Sequence, residues 1–289
     1  MRFLSFKAAG RSSYGVRVDG GLFDLGARLG AFAPDLKTYL AAAAQGFRPS
    51  LPALRVVDFA AGEFLLQPVV PNPSKILCVG LNYQDHRKET GRPEVPHPAL
   101  FTRFADSLTA HEGPIWLPPV STSLDYEGEL AVVIGKPAYR VPVERAGEHV
   151  AGYACFNDGT LRDWQHHTHQ FTPGKTFQKT GAFGPDLVTP DEIGDFAETG
   201  IETRLNGQVM QAAKLGDMIF SVAEIVSYAS GFTPLKPGDV IATGTPGGVG
   251  FKRQPQLFMK VGDRIEVTIG GVGHLLNTIE EEPIGDVRA

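Results

Sequence analysis

The hydrophobic positions of this chain fall mostly in short runs that alternate with polar residues and end at glycine or proline. Residues 2–28 follow this pattern and turn at Gly20-Gly21, which predicts a hairpin-like β segment. Beyond residue 74 the runs become frequent, and each predicts a strand. They are KILCVGLNY, the strand at 129–135, AGYACFND, ETRLNGQVM with a turn at Asn206-Gly207, DVIATG and DRIEVTIGGVGHLLNTI.

Helical patterns are fewer. They cover LKTYLAAAA, a stretch after Tyr83, and SVAEIVSYASG, where Gly231 is predicted to be the C-cap. The segment FLLQPVVPNPSKI holds three prolines and predicts a linker near residues 68–74. The predicted fold class is therefore α+β, mainly β. It has a small N-terminal domain over residues 1–70 and a catalytic domain with a mixed β core over residues 71–289.

Composition narrows the class of protein. The 289 residues are 42% hydrophobic and 20% charged, and 34 glycines with 22 prolines favour a turn-rich β architecture. The net charge of −5 and the lack of a basic run argue against nucleic acid or a membrane as partner. The N-terminus does not resemble a signal peptide. Cys78 and Cys155 lie in apolar runs, which predicts reduced core residues of a cytoplasmic protein.

The stretch DYEGELAVVIG places two carboxylates in a segment that otherwise has the pattern of a buried strand. Glu127 and Glu129 point to the same face, because strand side chains alternate with period 2. An E-x-E pair usually marks a solvated sheet face. Here the apolar run Leu130–Ile134 favours a strand covered on both faces, and two buried carboxylates then require a cation between them.

Two further segments extend this site. Asp158 in CFNDGT follows an apolar strand and is the best third ligand for a hard cation such as Mg²⁺ or Mn²⁺, although an Asx turn would also explain it. Lys175 in GKTFQKTGAFGP can neutralise excess negative charge, or it is an ordinary surface lysine.

The segment GLNYQDHRKE offers a general base. His86 and Glu89 are three residues apart and share one face of a helix, where the carboxylate would fix the imidazole tautomer. An exposed histidine on a charged helix face is the alternative. Gly91 and the prolines that follow it suggest a mobile flap.

Two other motifs carry weaker signals. The histidines of DWQHHTHQF (His166, His167, His169) lack the spacing of a helical zinc site, which favours a polar loop. The segment GTPGGVG at 244–250 lacks the signature of a P-loop, although its backbone N–H groups could hold a carboxylate.

Taken together, residues 74–280 resemble the fumarylacetoacetate hydrolase family. GLNYQDHRKE, DYEGELAVVIG, GYACFNDGTLRDWQ, GKTFQKTGAFGP, RLNGQVMQ, IATGTPGGVG and GHLLNTI carry the likeness in the family's order. The resemblance implies a mixed β-roll, a homodimer and a Mg²⁺ or Mn²⁺ ion. It puts the metal ligands on Glu127, Glu129 and Asp158, and the catalytic groups on Lys175 and on the lid residues His86 and Glu89. Substrate contacts fall on Gln165 and Thr245, and also on Arg103, at a position where the family often has Lys. The three-histidine loop is not a general family feature.

The leading hypothesis is a metal-dependent hydrolase that cleaves a C–C bond in a 2,4-dioxo acid, such as an acylpyruvate, fumarylpyruvate or a sugar-derived diketo acid. Water activated by His86 and Glu89 would attack the distal carbonyl. The same groups would serve a decarboxylase of a β-keto acid such as oxaloacetate, or a keto–enol isomerase. A non-catalytic carboxylate-binding protein is the third alternative, and the sequence does not identify the substrate.

Overall fold

The computed structural model describes residues 1–49, 56–91 and 93–283, and it consists mainly of strands. These are β1 (Arg2–Ala8), β2 (Arg11–Val18), β3 (Gly21–Asp24), β4 (Phe59–Ala60), β5 (Leu65–Leu66), β6 (Ile76–Gly80), β7 (Ala99–Arg103), β8 (Leu108–Thr109), β9 (Pro114–Leu117), β10 (Leu124–Asp125), β11 (Gly128–Ile134), β12 (Val150–Asn157), β13 (Thr160–Leu161), β14 (Gly181–Val188), β15 (Gly200–Leu205), β16 (Gln208–Lys214), β17 (Val240–Ala242), β18 (Arg264–Ile269) and β19 (Gly273–Glu281).

The helices in these ranges are mostly short. They are α1 (Leu25–Leu29), α2 (Leu36–Ala44), α3 (Gln84–Thr90), α4 (Val143–Ala146), α5 (Arg162–Gln165), α6 (Thr172–Lys175) and α7 (Val222–Phe232). Single 3₁₀ turns occur at Gly30–Phe32, Ala105–Ser107, Gly147–His149, Pro190–Glu192, Leu215–Asp217 and Gly250–Lys252. None of the helices in the described part of the chain is long and apolar enough to cross a membrane.

Two sheets form the frame of the molecule. The larger one has the strand order β4-β3-β2-β1-β14-β12-β11-β17-β6-β7, with β5 and β8 added on β1 and β14. The second has the order β16-β15-β18-β19-β9, and β10 pairs separately with β13. Most pairs are antiparallel, while β6–β17, β8–β14 and β9–β19 are parallel. The sheets are therefore mixed, and the predicted fold class, α+β and mainly β, is confirmed.

Strand β11 lies in the interior of the larger sheet and is buried along its whole length. Leu130, Val132 and Ile134 belong to a core that also contains residues of the second sheet and of α7. Ala131 and Val133 pack in a separate core on the opposite face, together with residues of α2. The strand is thus covered on both faces, as its continuous apolar run predicts.

The N-terminal segment continues the larger sheet. Its first strand, β1, pairs with β14 at Arg2–Val188 and Phe3–Leu187, and the turn between β2 and β3 falls where the glycine pair predicts it. Residues 67–75, between β5 and β6, contain no helix or strand, as expected for a connection. The domain boundary at residue 70 stays a prediction, and residues 284–289 of the second predicted domain lie outside the described ranges.

The turn at Asn206-Gly207 is also confirmed. Both residues have positive φ, 51° and 80°, as a two-residue hairpin turn of type I′ requires. The prediction that Gly231 ends its helix is wrong. Helix α7 continues to Phe232, and the extended residue Thr233 follows it. Pro234 explains this ending, because a proline disfavours helical backbone at the residue before it.

Both cysteines have the environment that their apolar neighbours predict. Cys78 on β6 and Cys155 on β12 are buried and unpaired. Burial raises the pKa of both thiols, so neither is a reactive thiolate at neutral pH.

Candidate active site

The three predicted metal ligands meet where β11 begins and β12 ends. These two strands are antiparallel, with Gly128 opposite Asn157, so Glu127 and Asp158 lie side by side just beyond the ladder. The Asp158 N–H donates to the Glu127 carbonyl over 2.8 Å. One carboxylate oxygen from each of Glu127, Glu129 and Asp158 lies within 4.8 Å of the others, and all three residues are buried. Among the described residues they form the only such cluster of potential metal ligands.

Buried cations balance part of this negative charge. Lys175 ends α6, and its Nζ lies 2.5 Å from Glu127 Oε2 and 2.6 Å from Asp158 Oδ2. Arg162 begins α5 and donates to Glu127 Oε1 over 2.7 Å. Burial alone would raise the pKa of Glu127, but Lys175 and Arg162 outweigh it and lower that pKa to about 2. Glu127 is therefore a carboxylate under all ordinary conditions.

Glu129 differs from its two neighbours. Within the described chain it forms no salt bridge and accepts one hydrogen bond, from the Gly244 N–H over 2.9 Å. Burial, followed by the nearby charges of Asp158 and Glu127, raises the pKa of Glu129 well above its usual value. A buried carboxylate of this kind lacks a positive partner, and a divalent cation would supply it. Three carboxylates and no sulfur or imidazole suit a hard ion such as Mg²⁺ or Mn²⁺.

Metal binding should therefore be measurable without any substrate. We expect Mg²⁺ or Mn²⁺ to raise the midpoint temperature of thermal unfolding, because the cluster exists only in the folded chain. Since the pKa of Glu129 is raised, its proton competes with the metal, and affinity should increase with pH. Calorimetry in buffers of different ionisation enthalpy should detect the released proton.

Two variants define this test. Glu129→Gln should lower metal affinity by at least the roughly 10- to 100-fold that is typical when a hydrogen-bond partner of a metal ligand is removed. Glu280→Gln, which changes an exposed glutamate on β19, should leave it unchanged. Wild-type affinity in Glu129→Gln would show that the metal binds elsewhere.

The predicted histidine–glutamate pair forms on α3. His86 Nδ1 lies 2.7 Å from Glu89 Oε1, and the other Glu89 oxygen accepts the Gly248 N–H over 3.0 Å. A carboxylate only accepts, so Nδ1 carries the proton and neutral His86 has its lone pair on Nε2. His86 is buried and lines the same cavity as Glu127 and Glu129. This is the geometry that a general base near a metal site needs.

The glycine-rich segment 244–250 holds carboxylates of the chain itself. Besides the amides that bind Glu129 and Glu89, the N–H groups of Gly250 and Phe251 donate to the two oxygens of Asp125. Gly244 has a φ of +100°, and a Cβ there would lie 2.7 Å from that of Asn82. Only glycine fits that position without strain. This loop therefore ties the lid helix to the acidic cluster.

The predicted substrate contacts Gln165 and Thr245 both line the cavity, which has a volume of about 110 Å³. Gln165 Oε1 accepts a hydrogen bond from Arg162 over 2.9 Å. The Thr245 hydroxyl donates to the Gly128 carbonyl and accepts from Gln211 Nε2 over 2.7 Å. Each side chain is fixed by its neighbours before any ligand binds. A role for them in substrate binding stays a prediction.

Arg103 does not line this cavity. Its fully buried guanidinium lies behind the acidic cluster and donates to Asp158 Oδ1 over 2.5 Å and to the Gly159 carbonyl over 2.9 Å. Its remaining donors bind the hydroxyls of Ser107 and Thr180. In this position the guanidinium orients Asp158 and does not face the cavity, which differs from the substrate contact implied by the family resemblance.

Of the three neighbouring histidines, only the first lines the cavity. His166 lines the cavity, its Nδ1 lies 2.6 Å from the Arg162 carbonyl, and its ring stacks on Phe251 with centroids 5.1 Å apart. His167 packs on Trp164 instead. Among the described residues, these histidines do not belong to a cluster of three potential metal ligands.

Sequence reasoning missed Arg162 as a member of the site. Arg162 donates to Asp125 and Glu127 and also to the side chain of Gln165. Burial would lower the pKa of Arg162, but the two carboxylates outweigh it and raise that pKa. The only signal was its place in LRDWQ, three residues before Gln165. Phe251 and Lys252, which also line the cavity, had no signal beyond their nearness to the glycine-rich segment.

The fold and the site define a class of protein: a mixed β fold with a buried acidic cluster, able to hold a divalent cation, beside a histidine–glutamate pair. Residues 75–280 match the sequence model of the fumarylacetoacetate (FAA) hydrolase C-terminal family. The chain belongs to this family.

Two relatives and one solved structure illustrate the family membership. Oxaloacetate tautomerase FAHD2A, mitochondrial, of Bos taurus is 38% identical over 256 residues, which are 81% of this chain and 82% of that protein. Oxaloacetate tautomerase YisK of Bacillus subtilis is 42% identical over 225 residues, 76% of this chain and 75% of that one. Fumarylacetoacetate hydrolase (EaFAH) from psychrophilic Exiguobacterium antarcticum superposes with a TM-score of 0.86 at 35% identity, covering 98% of this chain and 100% of that chain.

Proposed function

We propose that this protein catalyses keto–enol tautomerisation of a 2-oxo acid of the oxaloacetate type. The observation that carries the proposal is the His86–Glu89 pair, which lines one small cavity together with the carboxylates Glu127 and Glu129. Tautomerisation moves one proton between C3 and the 2-oxo oxygen. The histidine can exchange the proton at carbon, and a divalent cation held by the carboxylates would stabilise the charge on oxygen. The names of the relatives FAHD2A and YisK support the same activity.

In the keto-to-enol direction, His86 Nε2 would take a proton from C3. The C3–H bond breaks, its electron pair forms the C2–C3 double bond, and the π pair of the carbonyl moves onto the 2-oxo oxygen. This oxygen gains a proton from solvent, and His86 returns its proton to solvent. Glu89 stabilises the imidazolium that results, since its carboxylate already lies 2.7 Å from Nδ1. The Gly248 N–H fixes this carboxylate, so the ring keeps its orientation as it gains and loses the proton.

Glu127, Glu129 and Asp158 would hold the divalent cation. When bound, it would stabilise the negative charge that develops on the 2-oxo oxygen. Lys175 forms salt bridges with both Glu127 and Asp158 and thereby holds these two carboxylates close together. Its ammonium group thus acts mainly on the ligands of the cation.

The proposal is tested with oxaloacetate dissolved in its enol form and diluted into buffer that contains Mg²⁺ or Mn²⁺. We expect the ultraviolet absorbance of the enol to fall faster with wild-type protein than with Glu127→Gln or with no protein. Pyruvate, followed with lactate dehydrogenase, should not accumulate. If pyruvate were released at the rate at which the enol disappears, the activity would be decarboxylation and not tautomerisation.

Hydrolysis of a C–C bond in a 2,4-dioxo acid is the second candidate. It stands behind tautomerisation because the two relatives above are named as tautomerases. The same imidazole can activate water, and the solved structure of similar fold is named as a hydrolase. Loss of acylpyruvate absorbance that depends on both metal and His86, without activity on oxaloacetate, would favour the hydrolase.

A further inference from the structure

The charges of the cavity suggest which residue recognises a second acidic group on the substrate. Four carboxylates lie in the buried part of the site: Asp125, Glu127, Glu129 and Asp158. All of them except Glu129 bind one or more of the cations Arg103, Arg162 and Lys175. Four carboxylates thus face three cations. Their net charge is therefore −1, and a bound divalent cation would change it to +1. The carboxylate next to a 2-oxo group would neutralise this remaining charge. A second carboxylate needs a cation elsewhere.

Lys252 is the cavity-lining residue that can supply this charge. It is exposed at the mouth, and it makes no salt bridge with any residue that the structure describes. Its Nζ lies 5.0 Å from the centre of the Phe251 ring. The other cationic side chains of the cavity wall, Arg162 and Lys175, are already bound to carboxylates.

The position of Lys252 is fixed relative to the acidic cluster. The N–H groups of Gly250 and Phe251 bind Asp125, and Arg162 joins Asp125 to Glu127. On the outer side, His166 stacks on the Phe251 ring. The residues just before Lys252 are therefore held by Asp125 through their backbone and by His166 through the Phe251 ring.

We propose that Lys252 is a specificity-determining residue that binds the distal carboxylate of a 2-oxo dicarboxylic acid at the mouth of the cavity. This inference rests on the proposed function, because it takes the 2-oxo carboxylate end to lie at the acidic cluster. It assigns the choice of a dicarboxylate over a monocarboxylate to one exposed lysine. The apolar wall residues Phe101 and Phe171 would enclose the carbon chain between the two ends.

The test compares two stable ligands of equal chain length, 2-oxoglutarate and 2-oxopentanoate, by calorimetry with Mg²⁺ or Mn²⁺ present. Wild type should bind the dicarboxylate about five- to tenfold more tightly, a modest factor because an exposed ion pair is weak. Lys252→Met should bind both ligands equally, and Lys252→Arg should keep most of the preference. Lys260→Met, at an exposed lysine outside the cavity wall, is the matched control.

Kinetics separate this inference from the proposed function. With oxaloacetate, Lys252→Met should raise KM about five- to tenfold and leave kcat largely unchanged, since Lys252 would pair with the distal carboxylate and would not accept the C3 proton. If wild type prefers 2-oxoglutarate but does not turn over oxaloacetate, the tautomerase proposal would be wrong and the role of Lys252 would stand. No measurable binding of 2-oxoglutarate, equal binding of both ligands by wild type, or full discrimination in Lys252→Met would overturn the role of Lys252.

Discussion

Replacing His86 with alanine is expected to lower kcat for oxaloacetate tautomerisation by roughly 10²- to 10⁴-fold, the usual contribution of a general base. KM should change little, because the proposed role of His86 is the transfer of the C3 proton and not the binding of either substrate carboxylate. Metal binding should also persist, since the side chain is not among the three clustered carboxylates. Steady-state kinetics on enol oxaloacetate, with metal titration alongside, measures all three quantities.

Two controls separate this effect from damage to the fold. Glu89→Gln should lower kcat less, because His86 remains and only its imidazolium loses stabilisation. His274→Ala, at a half-exposed histidine on β19, should retain wild-type activity. If His86→Ala turned over oxaloacetate at the wild-type rate, His86 would not be the base, and the proton transfer would need another group of the cavity.

Replacing Arg103 with methionine is expected to destabilise the protein by about 3–5 kcal/mol, the usual result of removing one partner from a buried ion pair. Asp158 would keep Lys175 as its only cation, and the hydroxyls of Ser107 and Thr180 would lose their donors. The free energy of unfolding from urea titration measures the loss. It should be smaller with saturating Mg²⁺, which would supply positive charge to Asp158.

The matched control is Arg145→Met. Arg145 forms an exposed pair with Glu148 over 3.1 Å, and because solvent screens such a pair, its loss should leave the free energy of unfolding essentially unchanged. Kinetics then decide between two roles for Arg103. A rise in KM with unchanged stability would restore the substrate contact that the family resemblance implies. Loss of stability and of metal affinity together would establish that Arg103 positions Asp158.

Much of the site could be predicted from local sequence patterns. The period of two put Glu127 and Glu129 on one face, and the apolar run that follows them marked a strand buried on both sides. The three-residue spacing of His86 and Glu89 anticipated their hydrogen bond on α3. Such inferences succeed because helix and strand geometry fixes which neighbours along the chain share a face.

Contacts between distant segments of the chain could not be predicted in this way. The role of Asp125 depends on amides at Gly250 and Phe251, more than one hundred residues further along the chain. Pro234 lay beside the misplaced helix end, yet the glycine three residues earlier gave the stronger local signal. Arg103 is predicted to be a substrate contact at a position where the family often has Lys, but its side chain faces Asp158.

The sequence by itself determined the elements, the acidic cluster as a candidate and the family, because periodicity and motif order are properties of neighbouring residues. Only the tertiary structure decided which charges are already paired. It showed that Lys175 and Arg162 are bound to carboxylates and that Glu129 has no salt bridge to the residues that the structure describes. It also placed Lys252 at the mouth of the cavity without a salt bridge to any described residue. The physical reason is that electrostatic energy depends on distance and burial, and these are set when strands far apart in the chain pair and pack.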